Sequence, residues 1–177
     1  NLGECAATII LSTDHVYSSF SKQVTIGKGF SSNDANHISG PSKTGAELAF
    51  AIQNTISENN INTSDISFVN AHGTGTIFND EMEAKAFGLC HIQHIPTNSL
   101  KAILGHTLGA AGVAESILSY HALLNNCILP SKNFSETGTS VEVNINTNLT
   151  VSQKTIAIKT ASGFGGCNAA TAFKVRG

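Results

Sequence analysis

The chain reads as one layered α/β unit: a mostly parallel sheet covered by helices on both faces and closed by an antiparallel hairpin. Three observations predict this. Short β-branched apolar runs alternate with segments whose apolar residues recur at helical spacing, the pattern of strand–helix–strand units. The last two apolar runs, residues 155–161 and 169–175, are separated only by a glycine turn, which demands one antiparallel strand. With 177 residues, 41% of them hydrophobic and 12% charged, the chain can fill one core beneath a weakly charged surface.

Taken in order, residues 6–11 form an apolar run in which Thr8, Ile9 and Ile10 are β-branched, which predicts a buried strand. A polar stretch over residues 12–21 follows, and then Val24, Ile26 and Phe30 alternate with polar neighbours in a second extended segment. Residues 31–41, rich in Ser, Asn, Asp and Gly, predict a surface connection. From Ser42 the period lengthens: Leu48, Ala49, Ile52 and Ile56 share a helix face, Pro41-Ser42 gives a start signal, and Asn59-Asn60 a stop. Residues 66–71 predict a strand. Residues 80–87 predict a short helix whose Asp80, Glu81 and Glu83 suit the positive end of its dipole. After a brief strand at 95–98, a longer helix is expected over 107–125, with Leu108, Val113, Ile117, Leu118 and Leu124 as apolar faces. Its first turns, Gly109-Ala110-Ala111-Gly112, are nearly smooth and let another backbone approach closely. A loop at 130–138 precedes strand-like segments at 141–145 and 155–161, and residues 169–175 complete the hairpin.

A formal charge of -2 offers no basic field for nucleic acid, and neither a membrane span nor a signal segment is present in the printed residues. A cytoplasmic setting is expected. Cys5, Cys90, Cys127 and Cys167 are scattered without a CxxC pair, so reduced thiols are expected rather than a disulfide framework. The chain opens at Asn1-Leu2-Gly3-Glu4 and its only methionine is Met82, so residues are expected upstream of Asn1. Low charge and 16 glycines also fit a domain that covers much of its surface with a partner.

The chemistry concentrates in three glycine-bearing turns. In His72-Gly73-Thr74-Gly75-Thr76 an imidazole ends an apolar strand, the glycines allow a sharp turn, and Thr74 and Thr76 expose hydroxyls that can bond an amide or a phosphate. The bland reading of His72 is a core histidine bonded to a main-chain carbonyl. His106, between Gly105 and a helix start, meets a dipole that favours the neutral imidazole. Two neutral imidazoles donating to one oxygen would stabilise an enolate or oxyanion. Lys101 can orient a histidine or offset negative charge in a cleft, or be an exposed loop lysine. Glu83 leaves the His72 turn on its helix, and Glu115, among small apolar residues, must be paired with a lysine, a histidine or a bound cation. In Gly163-Phe164-Gly165-Gly166 a lone aromatic ring on a mobile backbone reads as a gate, or else as a tight turn with Phe164 tucked into the core. Cys90-His91 with His94 lacks a second ligand pair, so no metal is expected there, and Cys167 lacks a setting that activates a thiol. No cysteine here is placed to act as a nucleophile.

Residues 65–83, 98–115 and 160–168 together resemble the three C-terminal signatures of β-ketoacyl-acyl carrier protein synthases, in order and with the right spacing. Leu2-Gly3-Glu4 and Ser32-Asn33-Asp34-Ala35-Asn36-His37 extend the likeness over nearly the whole chain. Gly-His-x-Leu-Gly-Ala is shared with thiolases, whereas HGTGT joined to Lys101, His106 and Phe164 selects the ketosynthase branch. The resemblance implies a thiolase fold of two α/β halves, each a five-stranded sheet between helix layers, assembled as a dimer. This chain would be the second half, residues 1–177, with the nucleophilic cysteine on the absent N-terminal half.

In that family a cysteine takes an acyl group from acyl carrier protein, and malonyl-acyl carrier protein loses carbon dioxide to give the attacking carbanion. The resemblance implies that His72 and His106 assist decarboxylation, Lys101 orders His106, and Thr74 and Thr76 contact phosphopantetheine. It also implies that Phe164, beside Gly163, gates entry, that Glu83 belongs to the polar network near Lys101, and that Glu115 helps hold a structural monovalent cation; no other cofactor is expected. Three departures stand out: Ile77-Phe78-Asn79 replaces a Pro-containing turn, Thr160-Ala161-Ser162 replaces Asn-Ser-Phe, and Cys167 replaces threonine. Asn79-Asp80 is closer to aromatic polyketide and polyene enzymes, and the second departure bears on both the cation site and the acyl pocket. The leading expectation is a condensing acyltransferase of fatty acid, polyketide or polyene synthesis, inactive as this chain alone. The rival is a non-catalytic partner similar to chain-length factors, and a thiolase acting on coenzyme A thioesters stands third.

Overall fold

A computed structural model describes residues 1–13 and 23–176. Most of the polar stretch expected at 12–21 lies outside the described residues. Five sheet positions are filled by β1 (Gln23–Ile26) and β2 (Phe30–Asn33) end to end along one edge, then β8 (Cys167–Arg176), β7 (Ile156–Gly163), β3 (Ile66–Asn70) and β4 (Thr97–Asn98). Strand β3 is parallel to both β4 and β7, whereas β8 is antiparallel to β7, β1 and β2. All strands of this sheet therefore point one way except β8, as the closing hairpin requires.

Helices α1 (Ala46–Glu58) and α2 (Ile77–Leu89) cover one face and α4 (Ala111–Leu124) the other. Alternate side chains feed the two cores. Ile156, Ile158, Ala170 and Ala172 pack with Leu48 and Ile52 of α1 and Met82 and Phe87 of α2, while Ala157 and Phe173 pack with Ala122 and Leu123 of α4. In β3 the alternation breaks, Phe68 facing α4 but both Ile66 and Val69 facing α1, because the register against β7 shifts between Ile66 and Phe68. Burying each of these large side chains contributes about 1.5–3 kcal/mol.

Several boundaries move. Helix α1 begins at Ala46 rather than Ser42, because the Ser42 amide is taken by Asp34 and the chain turns through Gly45 at φ 72°. A Cβ on Gly45 would lie 2.5 Å from the Met82 carbonyl, so glycine lets α1 start hard against α2. Residues 31–33, expected as connection, belong to β2. The run at 6–11 is not a buried strand: it is irregular, with Ile10 83% and Leu11 70% exposed, since every edge position near β8 is already taken by β1 and β2. Residues 141–145 contribute one bridge, Ile145 to Thr97, in place of a strand. The long helix at 107–125 splits into a 3₁₀ turn, Leu108–Ala110, and α4. Unanticipated were α3 (Lys101–Leu104) and the small pair β5 (Cys127–Ile128) and β6 (Thr150–Val151), each too short to carry a period.

Candidate active site

Because β3, β4 and β7 run parallel, the segments leaving their C-terminal ends gather at one edge of the sheet. His72 lies two residues beyond β3, Lys101 opens α3 just after β4, His106 follows α3, and Gly163-Phe164 ends β7. Main-chain and side-chain bonds stitch the first two of these segments together. The Ala71 amide donates to Asn98 O (2.8 Å), Ser99 Oγ donates to Gly73 O (2.7 Å), and buried Asn70 donates to the Asn98 side chain (2.8 Å). At Gly73, whose φ is 50°, a Cβ would lie 2.5 Å from that of Ser99, so a side chain there would force Ser99 to move.

The His72 and His106 rings meet edge to face, their centroids 5.1 Å apart at 81°. Burial first, then the charges of Lys101 and Lys159 and the nearby His106, pull the His72 pKa down to about 3. Burial and Lys101 lower His106 as well, against an opposing pull from Glu115. His106 Nδ1 accepts the Leu108 amide at 3.2 Å, so the neutral ring carries its proton on Nε2. Its main chain is held by the opening residues: the His106 amide donates to Asn1 O (2.9 Å) and Gly3 donates back to His106 O (3.1 Å). Gly3 and Gly105 make that crossing feasible, since a Cβ on Gly3 would lie 2.1 Å from Leu104 O.

Beneath the rings sits a buried charge network. Lys101 donates to the His72 carbonyl and pairs with Glu115 Oε1 at 2.7 Å, which excludes the exposed-loop reading of this lysine. Glu83 accepts four bonds: from the amides of His72 (2.8 Å) and Gly73 (2.6 Å), from Asn79 (2.9 Å) and from Thr160 (3.1 Å). Burial raises its pKa while the Gly73 and His72 amides oppose the rise. Asp80, raised by burial, is restrained by Asn79 and by the amides of Gly75, Thr74 and Thr76, so α2 grips the whole turn. Thr74 and Thr76 hydroxyls lie 2.8 Å apart on a cleft of about 860 Å³ that His106, Lys101, Asp80 and the loop of residues 131–139 also line.

Sequence reasoning missed Lys159. It projects from β7 into this network, its Nζ bonded to Glu115 Oε2 and to the carbonyls of Thr160 and Ala71. Burial lowers its pKa, with Glu115 pulling the other way. The available signal was a charged residue amid the apolar run Ile156-Ala157-Ile158, a setting where lysine stands only if paired. The monovalent cation expected at Glu115 does not fit these residues, for both carboxylate oxygens already face ammonium groups. Phe164 is 81% exposed in its turn, so the tucked alternative is wrong. Cys90 donates to Ala49 O and burial pushes its thiol up to about 12; no cluster of metal-binding side chains exists among the described residues. No described helix is long and apolar enough to cross a membrane.

Residues 23–135 match the family described as "Beta-ketoacyl synthase, C-terminal domain", and the chain belongs to that family. It is 34% identical to nodulation protein E of Rhizobium leguminosarum bv. trifolii, over 81% of this chain and 36% of that protein. It is 31% identical to 3-oxoacyl-[acyl-carrier-protein] synthase 2 of Vibrio cholerae, over 98% of this chain and 44% of that one. Among solved structures, the ketosynthase ApeO in complex with its chain length factor ApeC from Xenorhabdus doucetiae superposes with TM-score 0.79 at 30% identity, covering 86% of this chain and 39% of that one. The chain thus spans less than half the length of each of these relatives.

Proposed function

We propose that this chain supplies the two-histidine half of a decarboxylative condensing site acting on carrier-bound thioesters. The observation that carries the reading is the edge-to-face contact of two imidazoles, 5.1 Å apart, whose surroundings keep both neutral. Neutral rings donate N–H to a thioester oxygen without adding fixed charge. When the malonyl C–C bond breaks, carbon dioxide leaves and its electron pair is held as an enolate whose oxygen those donors stabilise. The enolate carbon then attacks the acyl thioester and the thiolate departs. We assign that thiolate to a cysteine outside this chain, on the half that the family resemblance supplies; within the chain, burial suppresses the thiol of Cys90.

Lys101 acts as a positioning residue through the His72 carbonyl, and Glu83 holds the amides that fix the turn. Thr74 and Thr76 line the cleft where a phosphopantetheine arm would pass, and exposed Phe164 with Gly163 forms the gate. The partners are an acyl carrier protein, the N-terminal half that carries the cysteine, and a second subunit in a homo- or heterodimer, in a cytoplasm that keeps thiols reduced. By itself this chain elongates nothing. The chain-length-factor reading gains from a neighbour described as a ketosynthase in complex with its chain length factor, but such a partner has no use for a neutral imidazole pair.

In the full-length protein, His72→Ala and His106→Ala are each expected to cut carbon dioxide release from malonyl-acyl carrier protein by about 10²–10³-fold. Unchanged release and condensation in both variants would turn the assignment to the non-catalytic partner.

A further inference from the structure

We propose that the Lys159 ammonium is this protein's own resident cation, standing where the family resemblance implies a monovalent metal ion, so that the fold needs neither potassium nor sodium. The Nζ atom meets oxygens from three separate segments: Glu115 Oε2 on α4 at 2.5 Å, Thr160 O on β7 at 2.7 Å, and Ala71 O beyond β3 at 3.4 Å. Main-chain carbonyls joined by one carboxylate form the oxygen shell that a small monovalent cation takes. An ammonium carries three protons for three acceptors, so the shell and the group match in number as well as in charge.

Charge balance argues the same way. The buried charged side chains among the described residues are Glu83, Glu115, Lys101 and Lys159, two of each sign. A metal ion added beside Glu115 would leave an uncompensated positive charge in the interior, which desolvation strongly disfavours. Both Glu115 oxygens are already engaged, one by each lysine, so the ion would also have to displace an ammonium. The lysine's place on β7 fixes this geometry: register pairs it with Asn70, two residues before His72, so the tethered charge arrives at the end of β3 when the sheet forms.

The distinction is measurable because a free ion stabilises the fold by RT ln(1 + c/Kd), which grows with the ion concentration c, whereas a tethered ammonium has no concentration dependence. Thermal unfolding of the full-length protein is compared in choline, sodium and potassium chloride at one ionic strength. The midpoint is expected to be the same in all three; a midpoint that climbs as potassium or sodium replaces choline overturns the proposal. Lys159→Ala, which bares the Ala71 and Thr160 carbonyls, is expected to lose about 10 °C in choline chloride and to regain most of it as potassium or sodium replaces choline. A folded variant that responds to all three salts alike overturns the proposal. If Lys159→Ala yields no folded protein, the wild-type comparison decides by itself. Neither measurement uses turnover, so the result is independent of the proposed condensation chemistry.

Discussion

Lys101 and Glu115 form a 2.7 Å ion pair whose ammonium also donates to the main-chain carbonyl of His72. The lysine opens the segment that leads to His106, and the glutamate lies on the helix that follows it. One buried charge pair thus holds both histidine turns, and Lys159 completes it from β7.

Removing the two partners of that pair is expected to have unequal effects. Glu115→Gln leaves two buried ammonium groups without their carboxylate and should destabilise by about 3–5 kcal/mol. Lys101→Met leaves Glu115 paired with Lys159 and should cost less. Urea unfolding at neutral pH checks this; equal losses would show that Lys159 does not share the carboxylate.

The buried imidazole sets a pH dependence. His72 takes a proton near 6.5 when unfolded but only near 3 when folded, so between those values the unfolded state binds more protons and stability falls as pH falls. The slope from this one group approaches about 1.4 kcal/mol per pH unit inside the window. Subtracting the curve of His72→Asn from that of the wild type isolates it from the buried carboxyls. A flat difference curve between pH 6.5 and 3 would rule out a neutral buried ring.

Two glycines of the same turn are expected to differ. Gly75→Ala meets nothing within 4 Å and bears only the left-handed backbone penalty at φ 71°, about 1–2 kcal/mol. Gly73→Ala adds overpacking against Ser99, which contributes about 1–3 kcal/mol more. Their unfolding midpoints should fall in that order, and a milder Gly73→Ala would mean that Ser99 yields.

Glu81 anchors the cleft loop. Its carboxylate accepts the Ser140 amide (2.7 Å) and hydroxyl (2.5 Å) and pairs with Lys85 (3.0 Å); the Ser140 bonds first, then Lys85, hold its pKa at about 2. In Glu81→Gln the Ser140 amide should exchange with solvent about tenfold faster while the β3 amides stay protected. Unchanged exchange at Ser140 would show that the loop is held elsewhere.

Much of this was legible locally. A strand ending in a histidine and two glycines, a helix opening with acidic residues and a final hairpin over a glycine turn are each written in a few consecutive residues, so β3, α2, β7 and β8 fell near their expected places. Residues 6–11 misled because β-branched apolar character says only that a segment fits a sheet, not that an edge is free to receive it. Segments of two to four residues, such as β4 and α3, are held by tertiary bonds, which no period records.

From its residues alone this protein had a family, a mixed α/β fold and two candidate histidines, because glycine turns and strand periods are short-range properties of the chain. Only the folded sheet decided that the two rings touch, and that Glu115 is met by Lys101 on one oxygen and Lys159 on the other. Those contacts join segments far apart in the chain, and burial makes each charge seek a partner that sequence spacing does not name.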